Sequence, residues 1–244
     1  MNTKSLQTYG LWTLYSLGSL LICLWLAWQL SAQVNFLYPL WYSTLKIDQT
    51  IEQTVPNHLY KREFVATDVE EHHRLFAEMV TAIQNNGRGL KEIHFFTPSG
   101  KSLGPLLTES EITHLQDVAD LLNILGWFCL VMLVFCLVVL AAIIIFRMAM
   151  PSTKKLIISM LSLVVATVIL IVVLGAKKFF YWLHTVVFPE NHQWFFYYEE
   201  SLMSMLMKAP DLFAPISIQL LILGLSIWLL HIMILRKFGR FRTV

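Results

Sequence analysis

The chain has 244 residues, of which 57% are hydrophobic and 14% charged, and its mean hydropathy is +0.62. A soluble globular domain holds about 45–50% apolar and about 25% charged residues, so that class is excluded at the outset. The formal net charge of +2 is small, and the basic residues form short clusters beside apolar runs, which leaves no extended basic surface for nucleic acid.

Residues 1–10 form a short polar tail. The first apolar block, Leu11–Ala32, follows, and three more lie at 121–146, 156–176 and 216–235, none of them containing Asp, Glu, Lys or Arg. Roughly 20 helical residues at about 1.5 Å each cross a hydrocarbon core about 30 Å thick. Within lipid only helices satisfy their backbone groups inside a single segment. The expected architecture is therefore an all-α polytopic membrane protein with four transmembrane helices. The first block exceeds the 7–15 residues of a signal-peptide core, and Leu30-Ser31-Ala32 is a poor cleavage site, so this span is expected to be retained. Leu20-Leu-Ile-Cys23 lacks the small residues of a lipid-attachment box. Cys23, Cys129 and Cys136 all fall in spans, which excludes a disulfide framework in the polar regions. His231, near the end of the fourth block, reads as an interfacial residue.

Residues 33–120 make an α+β insert between the first two spans. Thr67-Asp-Val-Glu70 reads as a capping box ahead of Val69, Phe76, Met79, Val80 and Ile83 at helical spacing, and Asn86-Gly87 closes that helix. Lys91–Thr97 reads as a strand, with Pro98-Ser-Gly-Lys101 turning into a second. With few apolar residues, the insert is expected to pack as a cap over the spans rather than to fold alone. A second capping box, Thr108-Glu-Ser-Glu111, starts a helix with no Pro or Gly before Gly126, so it should run straight into the second span.

The loop 147–155 carries Arg147, Lys154 and Lys155. The tail 236–244 carries Arg236, Lys237, Arg240 and Arg242, and the N-terminal tail carries Lys4. These pieces hold 8 of the 18 basic residues and no acid, whereas all 16 acidic residues lie in 33–120 or 177–215. The positive-inside rule then places both termini and the basic loop in the cytoplasm, and the insert and 177–215 outside. Lys177 and Lys178 at the outer end of the third span oppose this assignment but are outnumbered. In the segment 177–215, the run Phe188 to Tyr198 is dense in aromatic residues, as in an interfacial belt, and Ser201–Met207 reads as a short helix lying in the interface.

Glu111, His114 and Asp117 are three residues apart and share one helix face. His114 stands seven residues before its span, and His184 stands eight after the third. If the third helix continues through Lys177–Leu183, both histidines project about 10–12 Å beyond the apolar ends, on the same side and on neighbouring helices. Histidine there serves as base, acid, proton carrier or metal ligand, or is simply hydrated at the interface. His58, His72, His73 and His94 read as residues of solvated helix or loop, and His192 as a loop histidine. The chain contains no nucleophile elbow, phosphate-binding loop, dinucleotide fingerprint or cysteine-pair metal signature.

Leu107-Thr-Glu-Ser-Glu111-Ile-Thr-His114-Leu-Gln-Asp117-Val118 resembles the Glu-x-x-His-Leu-x-Asp-Val stretch of the bacterial lipoprotein intramolecular transacylase family. Phe180-Tyr-Trp-Leu-His184, Phe188-Pro-Glu-Asn-His-Gln-Trp194 and Pro210-Asp-Leu-Phe213 resemble its second signature, and the 70-residue separation of the two histidines agrees. The resemblance covers roughly residues 105–215. It implies an acyltransferase of the bacterial cytoplasmic membrane, with its active site on the extracytoplasmic side. Such an enzyme moves the sn-2 acyl chain of a diacylglyceryl cysteine to the cysteine α-amine, giving an N-acyl lyso-form lipoprotein. Its implied partners are the lipid-anchored lipoprotein N-terminus and membrane lipids, and no cofactor or metal is expected, because ester to amide is downhill. His114 is then expected as base, supported by Asp117 or Glu111. His184 stabilises the oxyanion or protonates the leaving oxygen, although the two roles can be exchanged. Asn191, Trp194 and Phe188 are expected to bind substrate. Two alternatives stay open, a non-enzymatic binding or assembly protein and a metal-dependent membrane hydrolase using His114, Asp117 and His184 as ligands.

Overall fold

Each of the four apolar blocks forms a long helix, broken only near the end of the third. The computed structural model describes residues 3–239 and 241. Of the basic residues used to orient the chain, Arg240, Arg242 and the side chain of Lys4 lie outside the described residues. Among the described residues, four helices are long and apolar enough to cross a membrane: α1 (Thr3–Gln33), α5 (Glu109–Ile145), α6 (Thr153–Leu174) and α9 (Phe213–Phe238). Between α1 and α5 lie α2 (Tyr38–Thr44), α3 (Ile47–Thr54), α4 (Val69–Gln84), and strands β1 (His94–Phe96) and β2 (Ser102–Pro105). Between α6 and α9 lie α7 (Ala176–Val187) and α8 (Leu202–Leu206).

The entry to α5 forms as its capping box requires. The Thr108 amide donates to Glu111 Oε2 at 2.6 Å and the Glu111 amide to Thr108 Oγ1 at 3.4 Å, and the helix runs unbroken to Ile145. The exit from α6 departs from expectation. Gly175 takes φ +91°, a left-handed value that suits glycine and ends the helix at Leu174, and α7 starts afresh at Ala176. His184 therefore stands on a separate helix, so its height cannot be counted along one continuous rise from α6.

The chain divides into two compact units, Met1–Gln29 with Leu125–Ala176 and Gln219–Val244, and Leu30–Ile124 with Lys177–Ile218. In the first, the buried core includes Trp12, Tyr15, Cys136, Ile143, Met160 and Trp228. A Cβ on Gly18 would lie 2.6 Å from Cys136 Sγ, and one on Gly224 would lie 3.2 Å from Leu24 Cα, so glycine admits the close helix contacts typical of membrane bundles. Two pairs of polar side chains join helices in this unit: Trp228 Nε1 donates to Ser19 Oγ at 3.2 Å, and Tyr15 Oη lies 2.9 Å from His231 Nε2. His231 is thus the partner of a tyrosine on another helix rather than a hydrated interfacial residue. All three cysteines are free thiols.

The second unit shows why the insert does not stand alone, since 177–218 completes it. α4 is capped by Asp68, whose Oδ1 accepts from the Glu71 amide at 2.9 Å, and not by Thr67, whose hydroxyl is engaged by Phe64 O and His72. Asn86 and Gly87 take positive φ and end that helix as expected. β1 and β2 pair antiparallel, with Phe95 opposite Gly104. Glu71 ties helix to hairpin, accepting from the Phe96 amide at 2.7 Å and from Arg74 Nη2 at 2.6 Å, while Arg74 also donates to His94 O at 2.7 Å and to Glu78. Leu75, Met79, Phe64, Phe95 and Leu106 fill the core.

Two expectations change here. α8 is buried at every position rather than lying exposed in an interface, and Tyr38 Oη donates to Leu206 O at 2.6 Å. Four of its five residues are Leu or Met, so the helix packs inside protein and buries its one hydroxyl, Ser204, as well. His58 and His72, read as solvated, are also buried. His72 Nδ1 meets Tyr42 Oη at 2.8 Å and its Nε2 meets Thr67 Oγ1 at 2.8 Å, while His58 Nδ1 accepts from the Tyr60 and Lys61 amides.

Candidate active site

The site is built wholly within the second unit, from the first turns of α5, from α7 and from the loop after it. Glu111 and His114 lie on the buried face of α5, with Glu111 1% and His114 8% exposed. A carboxylate so enclosed needs donors, and Glu111 has them in the Thr108 amide and the Ser201 hydroxyl, the latter a short contact. Ser201 in turn caps α8, accepting from the Ser204 amide at 2.9 Å. Glu111 therefore locks the beginning of α5 to the start of α8, one turn before His114.

α7 presents His184 to His114, and their ring centroids are 6.1 Å apart. His184 Nδ1 donates to the Phe180 carbonyl at 2.7 Å. Only a protonated nitrogen can approach a carbonyl oxygen this way, so the neutral ring carries its hydrogen on Nδ1 and offers a bare Nε2. His114 differs, because its Nδ1 is buried and has no hydrogen-bond partner. Aromatic rings wall the pair. Phe188 lies 4.9 Å from His114 and 5.2 Å from His184, Trp194 5.1 Å from His184, Phe180 4.1 Å from His184, and Phe196 6.0 Å from His114.

These apolar walls decide the charge state. His114 lies outside the apolar stretch of its helix, and burial lowers its pKa to about 4; His184 pushes it further down and Asp117 opposes the shift. Burial also lowers His184, opposed by its hydrogen bond to the Phe180 carbonyl. At neutral pH both imidazoles are uncharged, each able to donate one hydrogen and accept another.

Most of the residues expected from sequence are brought together: His114, His184, Phe188, Trp194 and Glu111 all belong to this cluster. Asn191 is exposed on the loop. Neither carboxylate is hydrogen-bonded to His114, although Asp117 acts on its charge through space. Asp117 Oδ2 accepts from His192 Nδ1 at 2.7 Å, and Glu111 is taken by Ser201 and Thr108. Asp117 is thus engaged by His192 instead of completing a ligand set with His114 and His184, and among the described residues no group of three His, Cys, Asp or Glu is placed to hold a metal ion. Sequence reasoning passed over Ser201, Phe196 and the engagement of His192. Of these, only His192 carried a signal, since it stands in the second signature.

The family model for lipoprotein intramolecular transacylase Lit matches residues 13–209. No curated protein matches the sequence. Three in meso structures of the membrane integral lipoprotein intramolecular transacylase Lit from Bacillus cereus share the fold, each with TM-score 0.63 and 14% identity. One, with a histidine replaced by arginine, is matched over 96% of this chain and 92% of that one, and a second, with alanine in its place, over 97% and 95%. The third is matched over 96% of each chain.

Proposed function

The chain belongs to the lipoprotein intramolecular transacylase Lit family and is a membrane-integral acyltransferase, and from that premise we propose that it uses His184 and His114 to move the sn-2 acyl chain of a diacylglyceryl cysteine onto the cysteine α-amine. The observation that carries this reading is the pair of neutral, oppositely prepared imidazoles 6.1 Å apart in an aromatic pocket. A hydrogen-bonded atom lies about 4 Å from an imidazole centroid, so both rings reach the substituents of one reacting carbon.

The free amine nitrogen attacks the sn-2 carbonyl carbon, forming the C–N bond and an oxyanion. His184 Nε2, bare because Nδ1 is committed to Phe180, accepts one of the two protons of that nitrogen, and the other stays on the amide. The C–O bond to the glyceryl group then breaks, and His184 returns the same proton to the departing sn-2 oxygen. His114 donates an N–H to the oxyanion as a neutral imidazole, the state its burial enforces. This exchanges the roles first expected from sequence. The fixed tautomer of His184 suits a base, and the partnerless nitrogen of His114 suits a group whose partner arrives with substrate. Donor and acceptor belong to one molecule, so the aromatic walls mainly have to fold the substrate into attack geometry and exclude water. In this reading Phe188 and Trp194 supply these walls, and Asn191, exposed on the same loop, meets the polar glyceryl or peptide region.

In this reading both termini and the loop 147–155 are cytoplasmic and the pocket opens at the outer leaflet, where acyl chains lie in lipid and the peptide in water. The basic clusters of that loop and of the tail from Arg236 support this orientation. The test is mass spectrometry of lipoprotein N-terminal peptides from cells with and without the protein. Expression should convert the diacyl form to the N-acyl lyso form, and His114→Ala or His184→Ala should abolish conversion while the variants accumulate normally in the membrane. Near wild-type conversion by both variants would refute the pair.

A further inference from the structure

Proton balance leaves a task that the two facing histidines do not perform. This argument rests on the transacylase reading above. The substrate amine, with a pKa of about 8, arrives mostly as ammonium at neutral pH. An ammonium and an ester become an amide and an alcohol, so one proton must leave the site for water at every turnover. Of the two protons on the attacking nitrogen after C–N bond formation, one ends on the sn-2 oxygen and one stays on the amide, so neither meets this requirement. His114 is 8% exposed and His184 half-buried, burial lowers the pKa of each, and aromatic rings pack against both.

We propose that His192, held by Asp117, is a third catalytic residue, which takes the ammonium proton before attack and passes it to water. His192 Nδ1 donates to Asp117 Oδ2 at 2.7 Å, which leaves Nε2 as the acceptor and sets a carboxylate against any charge that the ring gathers. The imidazole side chain is 32% exposed, enough to release a proton to solvent, whereas its Asp117 partner is 16% exposed. The position also fits. Asp117 is one turn beyond His114 on α5, and His192 lies on the loop between Phe188 and Trp194, which supply the walls around the pair. The Pro189 carbonyl, accepting from the His192 amide at 3.0 Å, holds that loop in a turn. Along the elements that carry this pair, the titratable residues are His114 and Asp120 on α5 and Glu190 on the loop, with His184 of α7 facing His114; Asp120 accepts from Gln116. The step is R–NH3+ plus neutral His192 giving R–NH2 plus the His192 imidazolium, which returns its proton to water.

The experiment measures initial rates of acyl migration on a synthetic diacylglyceryl-cysteinyl peptide in nanodiscs, from pH 6.5 to 9.5. His192→Gln should lose about tenfold in kcat/KM at pH 7, where about a tenth of the amine is free, and should return to within about threefold of wild type by pH 9.5. Asp117→Asn, which preserves the loop's hydrogen bond, should show the same pH-dependent loss more weakly, and imidazole in the buffer should rescue His192→Gly at pH 7. A loss of equal size at every pH, or no loss at pH 7, overturns the proposal and leaves His192 as a tether. His184→Ala separates the two readings. If it is inactive at all pH values while His192→Gln is unaffected, only the proton-exit role fails. If His184→Ala stays active, the facing-pair reading beneath it fails as well.

Discussion

His72 and His114 sit in the same unit, both are nearly buried, and the pKa of each is lowered to about 4 by burial. What differs is the company of their nitrogens. His72 is saturated, with Tyr42 Oη on Nδ1 and Thr67 Oγ1 on Nε2, and Phe64 stacks on it with centroids 5.0 Å apart. His114 has a buried Nδ1 with no partner and faces another histidine across 6.1 Å. A depressed pKa therefore reports burial in both places and function in neither. An unanswered nitrogen opposite a second prepared ring is what distinguishes the site, since a buried polar atom without a partner is costly unless a ligand supplies one.

Exchanging the fates of these two histidines tests that distinction most severely. His184→Ala or His114→Ala should lower acyl migration by about 10²–10⁴-fold, the usual worth of positioned acid–base groups, with little change in thermal unfolding. His72→Ala should do the reverse. It strands the Tyr42 and Thr67 hydroxyls and opens a cavity, which costs about 2–4 kcal/mol, while activity per folded molecule stays within about twofold of wild type. Parallel rate measurements and melting curves in detergent would show a crossed pattern. If His72→Ala were inactive yet fully stable, the contrast would collapse.

Acid separates the two further. Native His72 stays neutral down to about pH 4, while in the unfolded chain it gains a proton near its ordinary value of about 6.5. Its contribution to stability is thus complete above about pH 6.5 and is lost as pH falls through that value toward 4. The melting temperature of wild type should fall more steeply between pH 7 and 5 than that of His72→Gln, which has no such proton to gain. Coincident slopes would assign acid sensitivity to other groups.

Ser201→Ala should act more mildly on both measures. It removes one donor from the Glu111 carboxylate, which is 1% exposed, and leaves the Thr108 amide in place. The loss of a charge-assisted bond is about 1.5–3 kcal/mol, and the small shift of the turn carrying His114 should lower the rate only several-fold. Unchanged stability would mean that water replaces the hydroxyl without cost.

The sequence made some of these features legible and hid others for a physical reason. Apolar blocks free of charge locate α1, α5, α6 and α9 because crossing hydrocarbon admits no other pattern. The Thr108–Glu111 box locates the start of α5 because capping is local chemistry. The facing histidines were visible once the second signature was set beside the first. The partners were not. Asp117 and His192 are 75 residues apart, Glu111 and Ser201 90, and Tyr42 and His72 30, so no periodicity connects them. Three-residue spacing put Asp117 on the face of His114 without saying which ring would claim its carboxylate. The break at Gly175 was missed for another reason: the residues after it are good helix formers, and only the backbone conformation shows that the rise is interrupted.

The weakest effect is expected at an exposed ion pair. Lys177, at the start of α7, lies 3.4 Å from Asp211, with side chains 71% and 43% exposed. Exposed pairs of this kind contribute about 0–1 kcal/mol, because water screens the attraction and two mobile side chains must be ordered. Lys177→Met should therefore leave both the melting temperature and the rate unchanged within error, in contrast to Ser201→Ala, whose buried bond involves the same kind of carboxylate. The difference lies in desolvation. Glu111 has exchanged water for the Thr108 amide and Ser201, so removing Ser201 leaves a vacancy that solvent reaches with difficulty. Asp211 has kept much of its water, so removing Lys177 leaves nothing unmet. A drop of several degrees on Lys177→Met would show that the α7 end of the site is fastened by charge as well as by its aromatic walls, and His184 would then be the residue whose rate constant should be remeasured.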